Sequence, residues 1–175
     1  MPADHRDQAT EILNFWFNEC KPWQWFRRSD ARDAQLRRRF GALTETAHSG
    51  GLKHWEGHSE SALALVLLLD QFSRQIWRDE ARAFNGDARA QQLSDMALKQ
   101  GWLHQERLKA RRQFWLMPQL HAECLIRVER VIPLMEQWVD QATADLARRN
   151  RECLLRHGRY PWRDAALGRW VETNA

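Results

Sequence analysis

The chain has 175 residues, a mass of 20.8 kDa, 43% hydrophobic and 29% charged residues, and a formal net charge of +4. That size suits one domain burying roughly 70% of the open chain's surface, so a core needs neither disulfides nor metals, and the composition excludes intrinsic disorder. The longest apolar run, residues 62–69, falls far short of the roughly 20 residues that span a bilayer.

Residues 1–7 show no apolar stretch behind a basic patch, so no secretory signal is expected. The three cysteines, Cys20, Cys124 and Cys153, are odd in number and widely spaced, which reads as reduced, buried thiols in the cytosol. Ten tryptophans predict large core anchors, each needing a partner for its indole N–H when buried.

Helix signals run along the chain and strand signals are missing. A first helix is predicted over 4–17, with Ile12, Leu13, Trp16 and Phe17 on its apolar face. A loop around Cys20, Lys21 and Pro22 leads to Trp23, Trp25 and Phe26. Ser29 or Asp30 then caps a second helix carrying Leu36, Phe40, Leu43 and Ala47, with Gly50 and Gly51 at its end. Residues 52–58 read as loop.

A third helix starts near Ser59 or Ser61 and is apolar all round up to Leu69, so it is expected to be central and buried. It runs on into Asp70, Gln71, Phe72 and Arg74. Asn85, Gly86 and Asp87 open a fourth, which stops at Gly101, and a fifth covers 105–116. Pro118 suits the first turn of a sixth, whose stripe is Met117, Leu120, His121, Cys124, Leu125, Val128, Val131 and Met135, with Pro133 expected to kink or split it. A last long helix is predicted over 137–157, ended by Gly158, before a polar and aromatic tail, 159–175. No repeat near 34 residues is found. The expectation is all-α: one domain, 1–175, an antiparallel bundle or superhelix of about seven to nine helices with the tail strapped across it.

Five stretches in this order make the chain resemble the widespread bacterial family catalogued as domain of unknown function nine-two-four. They are I-L-N-F-W-F at 12–17 with Trp25 and Phe26, L-D-Q-F-S-R-Q-I-W-R at 69–78, A-F-N-G-D-A-R-A at 83–90, F-W-L-M-P-Q-L-H-A-E at 114–123 and G-R-Y-P-W-R-D-A-A-L-G-R at 158–169. The resemblance implies a tetratricopeptide-like helical fold and no established activity. Gln75 and Asp79 stand where that family usually shows Asn and Gly, and Trp162 and Asp164 where it usually shows His and Asn. Loss of that histidine weakens any scheme in which the C-terminal motif supplies a base.

Asp70 follows eight apolar residues on a helix expected to be buried, so its carboxylate needs a partner. Arg74 and Arg78 come after it at four-residue steps in the favoured order. They either face an anion in a cleft or tie the helix to the C-terminal arginines. His121 lies on an apolar stripe, as a core histidine or a base, and Glu123 is placed to pair with Arg127. His121-Ala122-Glu123 matches the H-x-E of zinc deaminases, but no P-C-x-x-C comes after it. His54 and His58 lack a third ligand, so no metal is expected. Arg159, Arg163 and Arg169 punctuate Tyr160, Trp162 and Trp170. They are placed to grip phosphate or carboxylate, or to satisfy Asp70, Asp87 or helix-end carbonyls.

All of the charge excess lies in residues 101–175, yet no basic run is interleaved with motif aromatics, so nucleic acid is not the expected partner. No P-loop, G-x-S-x-G or G-x-G-x-x-G occurs, and no cofactor is expected. The favoured expectation is a non-enzymatic binding domain whose arginine-lined cleft holds a protein segment or a small anionic ligand. The alternative is a small hydrolase-like or transferase-like enzyme, with Asp70, His121 and Glu123 doing proton work beside Arg74, Arg78 and Arg159.

Overall fold

A computed structural model of the chain describes residues 3–169, and all regular structure among them is helical. Helix α1 (Ala3–Asn14) runs directly into a π turn, Phe15–Glu19. The Ser29 hydroxyl accepts the Arg32 N–H at 3.3 Å and caps α2 (Asp30–His48), whose first turn holds Asp30 and Asp33, where the helix dipole favours acids. Residues 52–58 are not plain loop. Lys53–Gly57 form a 3-10 turn entered through Leu52 in the left-handed region, φ 59°.

The central helix is built in three unbroken pieces. These are α3 (Ser59–Val66), a π stretch (Leu67–Phe72) and α4 (Ser73–Ile76). Every residue from 62 to 73 is buried, as the apolar run 62–69 requires, and the burial extends over the polar Asp70, Gln71 and Ser73. A π turn holds more residues than an α turn and shifts the register of the residues beyond it, and both Asp70 and Gln71 lie inside it. Then come α5 (Asp87–Lys99), α6 (Trp102–Gln105), α7 (Lys109–His121), α8 (Leu125–Trp138), α9 (Gln141–His157) and α10 (Asp164–Leu167). Helices α8 and α9 form the closest-packed pair, joined by two residues.

The two prolines behave differently from expectation. Pro118 opens no helix, because it sits inside α7, and Pro133 leaves α8 unbroken. Each proline removes one ladder hydrogen bond, a loss these packed helices carry. The break falls instead at extended Ala122 and Cys124, and Asp140, accepting the Thr143 N–H at 2.8 Å, starts α9 later than Gln137. Gly158 ends α9 with φ 68°, the left-handed conformation that costs glycine nothing.

Trp16 anchors the core, within 6.1 Å of Trp25, 5.5 Å of Phe72 and 5.3 Å of Phe114, ring to ring. Trp25 donates its indole N–H to the Trp16 carbonyl at 2.9 Å, whereas the buried Trp16 and Trp55 N–H groups have no protein partner, contrary to expectation. Trp23 and Trp162 are exposed, so the tryptophans are not uniformly core. Trp170 lies outside the described residues. No described helix is long and apolar enough to cross a membrane.

Candidate functional site

Asp70 is 1% exposed, and each of its carboxylate oxygens is engaged. Oδ1 lies 2.8 Å from His121 Nδ1 and 3.4 Å from Arg74 Nη1, while Oδ2 accepts from Gln71 Nε2 at 2.8 Å. Burial alone pushes this carboxyl up, but His121 and Arg74, with the hydrogen bonds from His121 and Gln71, hold it at about 2. Asp70 is therefore ionised near neutrality and can only accept. The proton between the two residues belongs to Nδ1 of His121, so any acceptor role of the ring falls to Nε2. That Nε2 bonds to no described residue.

Arg74 places a bidentate fork on Asp87, at 2.8 and 2.9 Å, and returns Nη1 to the Asp70 carbonyl. Burial opposes its charge, yet Asp70 and Asp87 raise its pKa. Arg163, only 5% exposed, reaches Asp87 at 3.3 Å and the His121 carbonyl at 2.6 Å, and its guanidinium lies 4.7 Å over the Phe84 ring. Burial and the nearby Arg74 charge lower its pKa. Its Nε–H is buried without an acceptor.

Helix α7 ends on this web. Asn150 and the Tyr160 hydroxyl both donate to the Leu120 carbonyl, at 2.9 and 2.8 Å, and the hydroxyl also lies 3.0 Å from that of Ala122. With Arg163 on His121, the C-terminal carbonyls that a helix leaves open are closed by side chains from α9 and the C-terminal motif. These contacts set the position of the His121 backbone. Burial drives the Tyr160 phenol well above its usual range, so it stays a neutral donor.

The remaining candidates sit further out. Arg78 does not join Asp70 but grips Asp33 at 2.7 and 2.9 Å, leaving its Nη1 without a partner among the described residues. Glu123 does not pair with Arg127, which binds Asp95. Instead Glu123 takes Arg169 at 2.9 Å and the Tyr160 backbone N–H at 2.8 Å. Arg159 stays within its own motif on Asp164 at 2.9 Å, with Arg169 on the other side of that carboxylate at 2.8 Å. Sequence spacing could not anticipate Asp33 as a partner, because that pairing joins residues 45 apart, whereas Asp164 pairs within its own motif and was open to a local reading that sequence analysis missed. Five arginines, at 74, 78, 159, 163 and 169, thus face five carboxylates, at 33, 70, 87, 123 and 164, and the web is electrically balanced.

An open cleft of about 360 Å³ lies over it. Arg74, Arg78, Asp79, His121, Asn150, Tyr160 and Arg163 supply its polar lining, and Ala83, Phe84, Leu120, Leu146 and Trp162 its apolar lining. Trp162 stacks flat on Tyr160, centroids 4.6 Å apart. Asp79, at the same cleft, has φ 65°, a conformation that favours glycine. Sequence reading missed Asp33, Phe84 and Asn150; Asp33 and Asn150 stand in none of the five stretches, and Phe84, within A-F-N-G-D-A-R-A, carries no charge to mark it. Among the described residues no group of three or more His, Cys, Asp or Glu could hold a metal ion.

The web is braced by Gly86, which enters α5 one residue before Asp87. A Cβ there would come within 2.6 Å of the Leu69 carbonyl and 2.7 Å of the His48 ring. His48 makes no hydrogen bond through either ring nitrogen and packs edge-on to Trp77 at 4.8 Å. Burial lowers its pKa, and the Leu68 carbonyl opposes this without completing a hydrogen bond. The unfolded chain then binds a proton that the fold refuses, so this contribution to stability is present above about pH 6.5 and falls as pH drops below it. The melting temperature is expected to decline between pH 7 and 5, and His48→Leu is expected to flatten that slope; equal slopes in the two proteins would remove His48 as its cause.

A model of the family described as "Bacterial protein of unknown function (DUF924)" matches residues 12–174. A solved structure of a protein of unknown function from Agrobacterium tumefaciens is similar throughout, with a TM-score of 0.88 and 30% identity over 96% of this chain and 94% of that one. None of the curated proteins matches.

Proposed function

Because the chain belongs to the bacterial DUF924 family, whose description assigns no activity, we propose a function from geometry: a helical binding domain that holds a small anionic ligand in the cleft over the arginine web. The observation that carries this reading is the convergence of Arg74, Arg78, Arg163 and His121, against the single acid Asp79, on one open cleft that aromatic and aliphatic side chains also line. Volumes of about 300–1,000 Å³ are usual for small-molecule sites lined mainly by apolar groups with a few placed polar ones. That favours a small ligand over a protein segment.

The balanced web determines which donors a ligand meets. Asp87 occupies the fork of Arg74, but Arg78 uses only Nε and Nη2 on Asp33. Its free Nη1, with the unpartnered edge of His121, is the place for a carboxylate or phosphate oxygen. The phenyl ring of Phe84, already beneath two guanidinium groups, and Trp162 suit an apolar body beside the charge.

Thermal denaturation with inorganic phosphate and with succinate tests the proposal. A ligand that binds only the folded state raises the melting temperature with concentration. The expected result is such a rise in the wild type and a much smaller one in Arg78→Ala. Flat responses to both anions, or equal responses in the variant, would overturn it.

A further inference from the structure

We infer that His121 is an acid–base catalyst for hydrolysis of a carboxylic ester whose acyl part carries a second carboxylate, with Asp70 as its positioning residue; this rests on the anion-binding reading of the same cleft. The imidazole is held on one side only. A buried, ionised carboxylate fixes Nδ1 at 2.8 Å, Arg163 fixes the backbone carbonyl at 2.6 Å, and Nε2 is left without a protein partner on a residue that lines the cleft. Ring orientation and tautomer are thereby set for Nε2 to accept a proton. A core histidine that served packing alone would be expected to use both nitrogens or to bury the second, and this one does neither.

One imidazole can serve both proton transfers of acyl hydrolysis, because the tetrahedral intermediate separates them. A water oxygen bonds to the ester carbonyl carbon, Nε2 accepts a proton from that water, and the carbonyl pair moves onto oxygen. The pair then re-forms the carbonyl, the bond to the alcohol oxygen breaks, and Nε2 returns its proton to the leaving alkoxide. The acid and the alcohol are the products, and water is the co-reactant. In-line phosphoryl transfer places the attacking and leaving oxygens on opposite sides of phosphorus, where a single imidazole reaches only one. Glu123 does not supply the second group, since Arg169 and the Tyr160 N–H occupy its carboxylate.

One further feature suits this substrate class. The Nη1 of Arg78, which its pairing with Asp33 leaves over, meets the second carboxylate and sets the ester's direction.

The test is the release of nitrophenolate from the mono-p-nitrophenyl ester of succinic acid and from p-nitrophenyl acetate. The succinyl ester is expected to turn over above the buffer rate and faster than the acetate. His121→Gln should lower kcat on the order of 100-fold or more while still melting cooperatively, its amide N–H in place to donate to Asp70. Asp70→Asn should lower kcat with KM retained, a split that a purely structural role would not produce. A buffer-level rate for the wild type, or undiminished turnover in His121→Gln, overturns the inference; wild-type kcat in Asp70→Asn removes the positioning role. Calorimetry with succinate separates the two levels. Succinate binding without ester turnover eliminates catalysis alone, and loss of both eliminates the anion site as well.

Discussion

Asp70→Ala is expected to destabilise the protein by about 3–5 kcal/mol, the usual cost of breaking a buried charge pair by removing one partner. The reason lies in the groups left behind. Arg74 loses one of its two carboxylates, Gln71 loses its acceptor, and the Nδ1 of His121 loses its partner. Asp70→Asn should cost less, because an amide oxygen can still accept from Nδ1. The acid dependence gives a sharper check. A carboxyl whose folded pKa is depressed contributes stability above its unfolded value and loses it as pH falls toward the folded one. The gap between wild type and Asp70→Ala should therefore be constant above about pH 5 and narrow as pH falls through 3.8 toward about 2. Urea denaturation across that range measures it, and a melting temperature unmoved by Asp70→Ala would mean that the web contributes little.

Trp16→Ala is expected to cost a similar amount, about 3–5 kcal/mol, through a different mechanism. Trp16 is fully buried and touches the rings of Trp25, Phe72 and Phe114. These belong to the loop after α1, the π stretch and α7, so one truncation opens a void among three segments that cannot all close on it. Trp162→Ala is the contrasting case. With 62% of its surface exposed, Trp162 should change stability by no more than about 0.5 kcal/mol, and any effect should appear in ligand response. A denaturation midpoint shifted equally by the two substitutions would contradict this division between core and cleft.

How much was legible in the sequence can be judged from particular residues. The burial of Leu63–Leu69 follows from an apolar run with no polar face, and the need of Asp70 for partners follows from its place at the end of that run. The Ser29 cap and the Gly158 stop are local chemistry, in which a hydroxyl or a missing Cβ meets a backbone requirement a few residues away. The pairing of Arg74 was half legible. Its four-residue step to Asp70 could be read directly, whereas Asp87, which takes its fork, stands in another helix. Pro118 misled because proline's preference for a first turn is a local rule, and the packing of α7 overrode it.

Sequence alone determined the all-helical class, the buried central helix and the family membership, since periodicity, capping residues and ordered motifs act within a turn or two of chain. Only the tertiary structure decided that His121 meets Asp70, that Arg78 turns to Asp33, and that Glu123 serves Arg169 and Tyr160. The choice among carboxylates is one of distance and burial. Any arginine can pair with any acid, and a difference of a few ångströms in a low-dielectric interior, which spacing along the chain does not encode, selects the partner.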